Sequence, residues 1–131
     1  MKNNFYRFLD FPSSDTKNGI LGMFQNVGFD IKRVLIMKKM KEGDKRGGHT
    51  HRKTRQILFA INGGCIVDLD NGNEKDSIKL DKFTKGILLE PLVWHVMKNF
   101  EPETILLVLA DMEYNEEDYI RDYDEFLKSV K

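Results

Sequence analysis

The chain has 131 residues, 21 basic and 21 acidic side chains and a formal net charge of zero. That is one domain's length, enough for a core without disulfide or metal staples, and the charge balance gives no overall field toward nucleic acid or an anionic membrane. No stretch approaches the roughly 18 apolar residues of a membrane-spanning helix, and Met1 to Phe11 lacks the apolar core of a signal peptide. The expectation is a cytoplasmic protein with neither nucleic acid nor membrane as partner.

Taken in order, the chain reads as short extended pieces. Phe5 to Leu9 is aromatic and apolar except for Arg7, and Phe11-Pro12-Ser13-Ser14-Asp15 breaks it. Gly19 to Gln25 and Ile31 to Met37 are apolar runs separated by Asn26-Val27-Gly28. Gln56 to Ile61 is a partly β-branched apolar run closed by Asn62-Gly63-Gly64, a strand followed by a turn. Cys65 to Leu69 follows, with the lone cysteine read as a small core residue. Asp70-Asn71-Gly72-Asn73 then supplies Asn-Gly, a strong hairpin signal. Ile78 to Leu80, Gly86 to Leu89, Val93 to Asn99 and Thr104 to Ala110 continue the pattern. Many short strands with Gly and Asn turns predict an all-β sandwich or barrel.

The tail differs. From Asn115 onward Tyr119, Ile120, Tyr123, Phe126, Leu127 and Val130 recur at three and four, with acids at the start. This predicts a helix over 115–130 packed on the β core. No repeat or low-complexity linker divides the chain, so 1–131 is read as a single domain.

Two of the three histidines, His49 and His51, fall two apart in GDKRGGHTHRKTRQ. In an extended segment both imidazoles leave one face, and Gly47-Gly48 allow a tight or left-handed approach just before them. Lys38, Lys39, Lys41, Lys45, Arg46, Arg52, Lys53 and Arg55 surround the pair, while acids from Glu113 to Glu125 crowd the C-terminus. Most of these charges read as solvated faces, but a basic cluster beside a candidate site suits a phosphorylated small ligand.

The spacing of Gly43, His49, His51, Gln56 and Gly63 resembles the first cupin motif, and Gly86, Pro91, His95 and Asn99 resemble the second. That resemblance implies a cupin jelly-roll, the double-stranded β-helix barrel. Cupins that bind metal use two first-motif histidines, a glutamate and the second-motif histidine. Gln56 stands where the glutamate belongs, and an amide is a poor ligand for a divalent cation. Three histidines could still hold zinc or iron.

A closer resemblance runs from about Ile31 to Phe126. Ile31-Lys32-Arg33-Val34, Arg46-Gly47-x-His49-x-His51-x-Lys53, Gln56, Pro91-x-Val93-Trp94-His95, Leu107 to Ala110 and Tyr114-Asn115-Glu116-x-Asp118-Tyr119-Ile120-Arg121-Asp122-Tyr123-Asp124-x-Phe126 are similar to the dTDP-sugar 3,4-ketoisomerases. The resemblance implies a cofactor-free, metal-free enzyme that moves the ketone of dTDP-4-keto-6-deoxy-D-glucose from C4 to C3. The product would then be aminated to a 3-amino sugar for surface polysaccharide. It also implies a homodimer whose subunits exchange an N-terminal strand.

Moving a ketone from C4 to C3 needs a proton off C3, an enediol, and a proton onto C4. Histidine, with an ordinary pKa of about 6.5, suits both halves. The resemblance selects His51 as the base and leaves His49 to relay protons or stabilise the enediolate. Gln56 is a candidate hydrogen-bond donor to it. Arg33 and Arg46 are the candidates for the diphosphate, and Trp94 for stacking on thymine or lining the sugar pocket. His95, following Trp94, is associated in this family with the galacto product, dTDP-3-keto-6-deoxy-D-galactose. The alternatives are a metal-dependent cupin enzyme and a non-catalytic nucleotide-sugar-binding cupin. The related 3,5-epimerases are usually longer chains.

Overall fold

The computed structural model describes residues 5–131. Strands β1 (Tyr6–Asp10), β4 (Arg33–Met37), β6 (Gln56–Asn62), β9 (Lys85–Leu89) and β11 (Ile105–Ala110) form one antiparallel sheet in the order β1-β9-β6-β11-β4. The second sheet runs β12-β5-β10-β7-β8, from β5 (Lys45–His51), β7 (Cys65–Asp70), β8 (Lys75–Leu80), β10 (Trp94–Lys98) and the two-residue β12 (Tyr119–Ile120). Strand neighbours are mostly not consecutive in sequence, so the chain crosses repeatedly between the sheets. This is the all-β jelly-roll that the cupin spacing implies. A separate ribbon, β2 (Ser13–Thr16) with β3 (Gly19–Gly22), stands outside both sheets.

Alternation along the strands puts the core between the sheets. Leu58 and Ala60 of β6 meet Val67 and Leu69 of β7, Ile87 and Leu89 of β9, and Leu106 and Val108 of β11, all buried. Cys65 belongs to this core, and burial pushes its thiol up to about 12, which keeps it an inert apolar group. The outer face of the β6-containing sheet is covered by Phe11, Phe24, Val27 and Phe29, packed on Ile57, Phe59, Leu88 and Leu109. The cover stops short of β4, where Val34 and Ile36 stay exposed.

Asn71 and Gly72 make the predicted β7–β8 hairpin, with Gly72 at φ 93°. Two local readings differ. The Ser13 to Thr16 stretch, read as a break, is a strand, because it pairs with Gly19 to Gly22 across a tight turn. The predicted 115–130 helix is split: a 3-10 turn at Glu116–Asp118, strand β12, and only then helix α1 (Tyr123–Ser129), capped by Asp122. The apolar period of three and four remains, but Tyr119 and Ile120 pair with His51 and Thr50 of β5, and that ladder overrides local helix preference.

Candidate active site

The histidines converge because of β5. Gly47 and Gly48 lie at φ 85° and 73°, and a Cβ on Gly47 would sit 2.7 Å from the His95 carbonyl oxygen. Glycine therefore lets β5 pass close to β10, where His49 pairs with His95 beside a bulge. His49 lies between the other two rings, with centroids 5.2 Å from His51 and 4.9 Å from His95. Tyr119, delivered by β12, is 4.3 Å from His51 and 5.1 Å from His49.

His49, His95 and Tyr119 border a cavity of about 230 Å³ between the sheets, while His51, buried, packs against His49 and Tyr119 without lining it. One wall carries His49, His95, Tyr119, Arg46 and Arg121; the facing wall carries Leu35, Met37, Gln56, Leu58 and Val108. A basic depression of about 430 Å³, with Lys38, Lys39 and Lys45, shares Met37 and Arg46 with this cavity.

Each imidazole has a fixed environment. His51 Nδ1 donates to Asp118 Oδ2 at 3.2 Å, and its Nε2 is buried without a partner. Asp118 is held in turn by the Thr54 hydroxyl and by the Lys53 amide at 2.7 Å. Burial pushes the Asp118 carboxyl up, but these hydrogen bonds and His51 outweigh it and leave the group below its ordinary value. His95 Nδ1 donates to the Val93 carbonyl at 3.0 Å, which leaves Nε2 as its acceptor nitrogen. Burial pushes His49 down to about 3 and His51 to about 4, with repulsion from His95 adding to both. Burial also pushes His95 down. All three are neutral imidazoles at pH 7.

The structure sorts the sequence candidates. His49, His95, Gln56 and Arg46 line the cavity, and His51 packs against the His49 ring. Arg33 points into the barrel from β4, its Nε and Nη1 buried without partners and its guanidinium 5.8 Å from the Tyr114 ring. Trp94 does not line the histidine cavity. Successive side chains of β10 face opposite ways, so His95 points in while Trp94 packs outside on Tyr123 and Phe126 of α1. Asp118, Tyr119 and Arg121 belong to the motif that carries the family resemblance, but the sequence reading gave them no role at the site and placed them in the 115–130 helix. A buried acid in a charged tail has no sequence signature, and only the β12–β5 pairing brings these residues to the site.

The donor set does not fit the metal centre common in cupins. A carboxylate completes such a centre, and Gln56 puts a neutral amide in its place. Among the described residues no group of three His, Cys, Asp or Glu is arranged to hold a metal ion.

Fold and site together define a cupin built around a cluster of neutral imidazoles. The family model described as FdtA: WxcM-like, C-terminal, matches residues 2–131, and this chain belongs to that family of sugar 3,4-ketoisomerases. It is 42% identical over 106 residues to the TDP-4-oxo-6-deoxy-alpha-D-glucose-3,4-oxoisomerase of Aneurinibacillus thermoaerophilus, covering 81% of this chain and 76% of that one. Among solved structures, a 3,4-ketoisomerase from Helicobacter canadensis is 37% identical with a TM-score of 0.91, over 95% of this chain and 96% of the other. A His-to-Asn mutant of the 3,4-ketoisomerase QdtA from Thermoanaerobacterium thermosaccharolyticum, in complex with TDP-4-keto-6-deoxyglucose, is 32% identical with a TM-score of 0.94, over 98% and 96%.

Proposed function

We propose that this chain is a TDP-sugar 3,4-ketoisomerase that takes TDP-4-keto-6-deoxy-D-glucose and gives the 3-keto-6-deoxy sugar of galacto configuration. The observation that carries the reading is His51. Its Nδ1–H is committed to a charged Asp118, and its Nε2 lone pair is buried, neutral and unpartnered, with the ring packed on His49 and Tyr119, which line the cavity. That is the state a general base requires.

Nε2 of His51 takes the C3 proton, the C3–H electron pair forms the C3=C4 bond, and the C4 carbonyl pair moves to O4. O4 gains a proton through His49, O3 loses one, and C4 is protonated as the C3 ketone forms. Gln56 supplies a neutral hydrogen bond to an enediolate oxygen. Arg46, between the cavity and the lysine-lined depression, holds the diphosphate. Arg33 is the second cation for it, since its buried N–H groups need an acceptor. A 3-ketone is what an aminotransferase consumes, so the product feeds a 3-amino-3,6-dideoxysugar for surface polysaccharide. A nucleotide-linked substrate assigns the reaction to the cytoplasm.

The active form is a homodimer. Ile20, Leu21, Val34 and Ile36 are exposed apolar residues on the ribbon and the edge strand β4, surface that a second copy would cover. Exchange of the N-terminal strand is part of this proposal; in the single chain β1 pairs with its own β9. Equilibrium sedimentation at the mass of one chain would remove the dimer. The activity is tested by incubating TDP-4-keto-6-deoxyglucose with the protein and following the sugar by NMR. A 3-keto product is expected, and unchanged substrate would leave a binding protein instead.

A further inference from the structure

The tail motif from Tyr114 to Phe126 brings more than Asp118 to the site. Strand β12 is two residues long, and of these Ile120 is fully buried while Tyr119 is half-buried at the sheet edge, its ring against His51 and His49. So short a ladder fixes the backbone but leaves the ring its side-chain rotations, and among the described residues no hydrogen bond holds the Tyr119 hydroxyl. What holds the ring comes from either side of β12. The Arg121 guanidinium lies 4.2 Å over it, a cation–π contact. Arg121 Nε and Nη2 donate to the two carboxylate oxygens of Glu116, each at 2.8 Å, a fork that sets the plane of the guanidinium as well as its place. The Tyr114 hydroxyl donates to the same carboxylate at 2.5 Å, and the Tyr114 ring lies 5.6 Å from that of Tyr119. Arg121 holds the Glu116 carboxyl down at about 2, so the pair is ionised at neutral pH.

Arg121 lines the cavity, yet Glu116 neutralises it, whereas Arg33 and Arg46 have no carboxylate partner among the described residues. An exposed ion pair also contributes little to folding stability, so neither ligand binding nor stability accounts for this arrangement. We infer, resting on the ketoisomerase reading, that Glu116 and Arg121 are positioning residues: their forked pair clamps the Tyr119 ring against His49 and His51, so that the sugar meets a cavity wall already set in place. Neither residue exchanges a proton with the sugar. Tyr114 steadies Glu116 from its other side. When the clamp is lost the wall shifts and the reacting groups lose alignment, which lowers rate more than affinity.

Glu116→Gln keeps the shape of the side chain and removes its charge, at a residue outside the cavity lining. It should lower kcat by about 10- to 100-fold, with KM, TDP affinity and the urea midpoint near their wild-type values. Arg121→Lys keeps the charge but loses the fork and the flat face, and kcat should fall as far. The double variant should fall no further than either single one, because the two side chains act as a unit. In NMR of protein with labelled tyrosine rings, Glu116→Gln should shift the Tyr119 signal and leave those of Tyr6 and Tyr123 in place. Additive losses, an unmoved Tyr119 signal, or a kcat that only tracks a lowered urea midpoint would each overturn the clamp. So would weakened TDP affinity in Arg121→Lys alone, which would make Arg121 a diphosphate ligand. Each of these removes the clamp and leaves the ketoisomerase reading standing; wild-type protein that forms no 3-keto product removes that reading and this role with it.

Discussion

His51 and Asp118 are 67 residues apart in the chain and are joined by a buried hydrogen bond of 3.2 Å between Nδ1 and Oδ2. The bond fixes the tautomer and orients Nε2, and β12 makes it possible by pairing Tyr119 with His51. The site's chemistry depends on this link between two distant segments.

Replacing the base tests it directly. His51→Asn keeps approximate size and hydrogen bonding but removes the titratable nitrogen. Turnover should fall by about 10²- to 10⁴-fold or more, with nucleotide affinity retained and solvent deuterium wash-in at C3 and C4 abolished. Near-normal exchange would pass the role of base to another residue. His49→Asn should be the milder change.

Asp118→Asn should act through His51. The amide keeps the shape of the carboxylate but withdraws the charge that steadies the imidazolium, so kcat should drop about 10²-fold or more with KM little changed. Removing the carboxylate also takes away an influence that holds His51 up, so the acid limb of kcat/KM should move to lower pH. A fall in kcat with an unmoved limb would reduce Asp118 to a structural role.

The pH dependence of stability has a definite sign. His49 and His51 titrate near 3 and 4 when folded against about 6.5 unfolded. Between those values the unfolded chain binds protons that the folded chain refuses, so stability rises with pH. The contribution is complete above about 6.5 and is lost as pH falls toward 4. Urea midpoints measured at pH 7.5, 6 and 5 should decrease in that order, and more shallowly when both histidines are replaced by Asn.

Chelation should leave turnover intact. Gln56 stands where a metal-binding cupin would place its carboxylate ligand, and a neutral amide is a poor substitute. Activity lost on exhaustive EDTA treatment and restored by one added metal would refute it.

Trp94→Ala separates the two faces of β10. The indole packs on Tyr123 and Phe126 outside the barrel, so stability should fall by roughly 2 kcal/mol, below the range for a fully buried tryptophan. kcat should be near normal. A selective rise in the substrate's KM without loss of stability would return Trp94 to the binding site.

The sequence by itself determined most of the strand pattern, the Asn71-Gly72 hairpin, the shared face of His49 and His51, and the tight or left-handed approach that Gly47 and Gly48 allow. Each of these follows from local rules: a period of two, turn chemistry and positive φ. What it could not determine was where the tail would lie. Tyr119 and Ile120 have helical spacing, yet they form β12 because β5 offers an edge to pair with. Tertiary structure alone therefore decided that Asp118 would hold His51, that Tyr119 would join the imidazoles and that Trp94 would face away from them. These are contacts between segments far apart in the chain, and a side chain's neighbours across a sheet are set by register, which no local pattern in either segment encodes.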